Sequence, residues 1–141
     1  MLDAHKLARL NEIEDAIKTR LSTGLADLEV RVNVGDGDGR ATLNKDILII
    51  YRGSNFKRPT VDFNFRQKRE LQWQITLQLK DLRSHKQAYP VEEACLLLLT
   101  GFAPDECLDG QLFPIATELQ ARDEKGYFNL QMLFGLRSDW L

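Results

Sequence analysis

Cysteine is scarce in this 141-residue chain. There are two, Cys95 and Cys107, and their spacing matches no metal-ligand pattern and no redox motif. The core must form without a disulfide framework or a metal staple, and Cys95, in an apolar helical run, is expected as a buried free thiol. Histidine is equally rare. His5 falls in the first helix and His85 in a polar loop, so two solvated side chains are expected and not a catalytic or metal-binding pair. Long apolar runs are also missing. The longest, "ACLLLL", is far too short to cross a bilayer. The charged, amphipathic start "MLDAHKLARLNEIEDAIKTRL" lacks the form of a signal peptide. Cytoplasmic synthesis without a membrane partner is the expectation. A net charge of −2 argues against a general nucleic-acid binder.

Catalytic signatures are absent as well. No GxGxxG or Walker-type phosphate loop occurs, and no Gly-x-Ser-x-Gly elbow. "GDGDGRATLNKD" resembles a calcium loop only at its start. Arg40 stands where the third ligand belongs, Ala41 replaces the required glycine, and Ile47 replaces the closing glutamate. The stretch reads as a turn. No nucleophile–base pair or ligand cluster can be assembled, so neither catalysis nor a cofactor or metal is expected.

What is present is an ordinary globular composition, 43% hydrophobic and 28% charged, expected to form one domain over residues 1–141. Leu7, Leu10, Ile13, Ile17 and Leu21 recur at helical steps and predict a helix over 3–22, with Asp3 capping its start and Gly24 its end. "LEVRVNV" (28–34) alternates like a half-buried strand. "DILIIYR" (46–52) is continuously apolar, as in a central strand covered on both faces. The glycine-rich link between them predicts a hairpin.

"VDFNFRQKRELQWQITLQL" (61–79) keeps its apolar residues on odd positions over a length of roughly 60 Å at ~3.3 Å per residue, too long for one ordinary strand. The alternation predicts two segments. Glu70–Leu82 is the main strand, with Leu71, Trp73, Ile75, Leu77 and Leu79 turned inward. Residues 53–69 form an extended arm, interrupted by Pro59, that turns back at "RQKR". "PVEEACLLLLTG" then predicts a short, deeply packed helix with Pro90 in its first turn and Gly101 as cap. "QLFPIATELQAR" and "YFNLQMLFGL" predict a final hairpin. The order α-β-β-β-α-β-β implies an α+β domain: a mostly antiparallel sheet flanked by two helices, with a long β-arm before the third strand.

The charges are unevenly placed. Residues 52–69 hold Arg52, Lys57, Arg58, Arg66, Lys68 and Arg69 against Asp62 alone, a net of +5. Residues 92–124 hold eight acidic groups, Glu92, Glu93, Asp105 and Glu106 among them, against Arg122 alone, a net of −7. With Phe56, Phe63 and Phe65 among its cations, the arm could bind single-stranded nucleic acid, or it could dock on its own domain. A third reading fits the pattern better. The arm reaches a neighbouring subunit, buries its phenylalanines there, and sets its cations against the acidic segment, a head-to-tail contact able to close a ring.

The order of elements, with "ACLLLLTGFAP" (94–104) leading into "LFPIATELQARDEKGYFNLQMLFGL", resembles the tail-terminator-like proteins of Mu-like prophages, a family sharing its fold with the terminators of long-tailed phages. The resemblance spans nearly the whole chain. It implies a homo-oligomeric ring, usually a hexamer, that caps the tail tube and meets the head–tail connector, with tube or sheath protein as further partner. It also implies location in the host cytoplasm and then the virion tail, without catalysis or cofactor. Under that reading the contact residues are Lys57, Arg58, Phe63, Phe65, Arg66, Lys68 and Arg69 on the arm, and Glu92, Glu93, Asp105 and Glu106 opposite. The rival function is a nucleic-acid-binding accessory protein using residues 52–69.

Overall fold

Apolar periodicity decides most of the architecture. In the computed structural model, residues 10–34, 45–57, 67–80, 88–104, 110–120 and 126–140 are described. Helix α1 spans Leu10–Gly24 and a 3-10 turn Ala26–Leu28. Strands β1 (Arg31–Val34), β2 (Lys45–Phe56) and β3 (Gln67–Lys80) follow, then helix α2 (Tyr89–Leu99) and strands β4 (Phe113–Gln120) and β5 (Tyr127–Trp140). The strands make one sheet in the order β1-β2-β3-β5-β4. The α+β class and the order of elements are those the sequence implies.

β3 is the centre of the sheet. Ile75 lies between Ile49 of β2 and Met132 of β5. Its odd residues Leu71, Trp73, Ile75, Leu77 and Leu79 are all fully buried, each stabilising the fold by roughly 1.5–3 kcal/mol. They share one cluster with Ile13, Ile17 and Leu21 of α1 and with Val91, Cys95 and Leu99 of α2. Both helices therefore cover the same face. They also meet each other: the Arg20 Nε–H donates to the Leu98 carbonyl at 2.9 Å. The opposite face carries the even residues, and it is polar: the Gln74 amide donates to Thr76 Oγ1 at 2.8 Å and the Gln72 amide to Glu70 Oε2 at 2.9 Å.

Several local expectations need correction. β1 pairs with β2 in parallel, so the two strands are not the arms of a hairpin. β1 also begins later than its alternation suggests, because Leu28 ends the 3-10 turn and Glu29 takes a left-handed conformation (φ 56°). Gly24 is no left-handed cap. It is the last helical residue, and a Cβ there would meet first the tip of the Leu98 side chain, Cδ1 and Cδ2 at 2.5 Å, which can turn aside into the groove it lines. Gly101 does adopt the left-handed state after α2 (φ 80°). Nor is "RQKR" a turn back as far as it is described. Gln67–Arg69 already belong to β3, which pairs with β5 over its whole length. α2 is packed on one side only: Leu97 is 80% exposed, because a helix lying on one sheet face beside α1 keeps an outward stripe.

Candidate functional site

The part of the arm that is described is a strand extension. β1 covers β2 only as far as Ile49. Beyond it β2 runs on against β3 through Gly53↔Gln72, Ser54↔Leu71, Asn55↔Glu70 and Phe56↔Arg69, after an irregularity between Tyr51 and Gly53. Gly53 takes φ 95° there, a backbone state that only glycine adopts without strain. The Lys57 amide then donates to the Lys68 carbonyl at 2.9 Å, extending the ribbon by one rung.

On this stem Arg69 is held by its own domain. Its Nε–H donates to Ser54 Oγ at 3.1 Å and its second guanidinium nitrogen to the Tyr51 hydroxyl at 3.4 Å. The guanidinium carbon stands 5.5 Å from the centre of the Phe56 ring, a cation–π contact. Lys57 and Lys68 are exposed, as is Phe56 at 47%. The structure thus stacks Arg69 on Phe56 and sets Lys57 and Lys68 across from each other on the next rung of the ribbon. Arg58, Phe63, Phe65 and Arg66 lie outside the described residues.

The acidic set sits on another element. Glu92 is half-buried and Glu93 exposed in the first part of α2. Asp105 and Glu106 lie outside the described residues, as do His5, His85, Cys107 and the "GDGDG" stretch. One more acidic residue of this segment has a place: Glu118 lines a trough on the polar sheet face with Arg52, Gln74 and Gln131.

A second concavity escapes sequence reading. Between α1 and α2, an open groove is lined by Asp15, Ala16, Thr19, Gly24, Leu98 and Phe102 among others. Its Phe102 ring carries the Arg20 guanidinium at 4.9 Å. A signal for it exists in the chain: Leu97 and Leu98 fall off the 91-95-99 stripe that α2 buries. Runs of leucine hide that phase.

Among the described residues no group of three His, Cys, Asp or Glu could hold a metal ion, and no helix is long and apolar enough to cross a membrane. Cys95 is a free, buried cysteine. Burial, and secondarily the Glu92 carboxylate, pushes its thiol up to about 12. The thiolate is the reactive form, so Cys95 is expected to be inert at pH 8. In a Cys107→Ser chain, an aromatic disulfide reagent should label no thiol until urea unfolds the protein. Prompt labelling of the native chain would contradict the buried placement.

The fold is shared with a virion component. A chain in the structure of the virion of a native gene transfer agent (GTA) particle superposes with a TM-score of 0.62 at 13% identity, covering 94% of this chain and 98% of that one. No curated protein matches the sequence. The Gp37 protein family model matches residues 17–129, four-fifths of the sequence and every element from the middle of α1 to the start of β5, and the chain belongs to that family.

Proposed function

We propose that this protein is a structural component of a phage-type virion, and more specifically a tail terminator: a ring that caps the tail tube and contacts the head connector. The observation that carries the reading is the near end-to-end match of fold to a chain of a virion particle. Membership of the Gp37 protein family and the uneven charge along the sequence support it. The role is architectural. It calls for complementary surfaces and shape, not for a nucleophile, a metal or a cofactor, and its partners are copies of itself, the tube or sheath protein and the connector.

The test is location within the particle. Particles assembled with an epitope-tagged chain should bind gold-labelled antibody at one end of the tail tube, where head joins tail. Label spread along the tube, or absent from particles, would overturn the terminator reading. Retardation of DNA by the purified chain that vanishes between 50 and 200 mM salt, roughly the steep range for phosphate contacts, would favour the nucleic-acid-binding role.

A further inference from the structure

We propose that the outer edge of α2, Glu93 and Leu97 with the adjoining groove at Leu98 and Phe102, receives the basic stem of a second copy of this chain. This rests on the architectural reading above and names its contact.

Leu97, at 80% exposure, is a large apolar side chain that the fold leaves in water. A single exposed leucine is unremarkable. Here its neighbour along the helix, Leu98, lines the groove against α1 with Phe102, and Leu97 lies one helical turn from exposed Glu93, the spacing at which helix side chains are neighbours. The α2 edge is therefore apolar with the Glu93 carboxylate beside it; the groove adds Asp15 and Arg20, the latter held on the Phe102 ring and by the Leu98 carbonyl. The stem is its counterpart. Phe56 is 47% exposed, with Arg69 stacked on its ring and exposed Lys57 and Lys68 on the same ribbon. Because Arg69 is tied to Ser54 and Tyr51, the aromatic is presented on a braced platform, which lowers the ordering cost of docking.

Charge selects the occupant. The described stem exposes Lys57 and Lys68, while α2 exposes Glu93 and the groove is lined by exposed Asp15, so a copy of the chain presents to another the sign its surface needs. The two surfaces differ and sit on different elements. Their pairing is head to tail, which adds copies in one direction and closes when the rotation permits.

The experiment is sedimentation of the full-length chain over a concentration series with charge-exchange variants. Glu93→Lys sets like charges against the native stem, and Lys57→Glu with Lys68→Glu sets like charges against native Glu93. Each alone should lose self-association, its dissociation constant rising at least about tenfold, with thermal stability unchanged. Mixed in equal amounts, they should regain it, because every contact in an alternating assembly is again between opposite signs. Leu97→Ser should weaken association to a similar degree. If Glu93→Lys and Leu97→Ser associate like the wild type, this contact is wrong while the ring reading stands. If both charge variants dissociate but mixing recovers nothing, the two sites are not opposite each other in the contact and the proposal fails. A wild type that stays monomeric throughout the series would overturn the ring and the contact together.

Discussion

Ile75→Asp is expected to leave no folded protein at 25 °C. Ile75 is fully buried on the central strand, between Ile49 and Met132, and faces a cluster built from both helices. An unpaired carboxylate there has no cation and no water, a cost of several kcal/mol against about 5–15 kcal/mol for a whole domain. The far-ultraviolet dichroism should lose its cooperative thermal transition. The comparison is Leu97→Asp, the same kind of change at a side chain 80% exposed, where the expected effect is within about 0.5 kcal/mol. Equal stability of Ile75→Asp and the wild type would refute the position of β3 in the core.

Trp73→Ala should cost about 3–5 kcal/mol, read as a fall in the urea midpoint with little change in slope. Trp73 is the largest fully buried side chain among the described residues. Its indole N–H donates to Glu14 Oε1 of α1 at 3.3 Å, and its ring lies 5.1 Å from that of Tyr51 at a 47° tilt. One residue therefore ties α1 to the sheet and braces the root of the basic stem. Glu14→Leu separates the polar part from the packing, since it leaves the indole N–H without that acceptor at a cost of about 1–3 kcal/mol. In the Trp73→Phe background the same change at Glu14 should cost less. A loss below 1 kcal/mol for Trp73→Ala would mean that α1 is not anchored through this side chain.

The strands and helices were legible because each rests on a period within a few residues. The odd positions from Leu71 to Leu79 announce one buried face whatever lies around them, and the 13-17-21 spacing does the same for α1. The turn at Gly126 (φ 86°) between β4 and β5 is similarly local. The candidate contact was half legible. Composition shows where the cations and carboxylates cluster, but not that Arg69 is spent on Ser54, Tyr51 and Phe56.

What the sequence determined by itself is therefore the set of elements, their buried faces and the two charged segments, all properties of neighbouring residues. The tertiary structure alone decided the parallel pairing of β1 with β2, since the alternation within a strand is the same whichever direction its neighbour runs. It decided that Gly24 lies against the tip of Leu98, a contact between residues 74 apart in the chain. It left Leu97 in solvent, because two helices lying side by side on one face of a sheet cannot bury a leucine that points away from both.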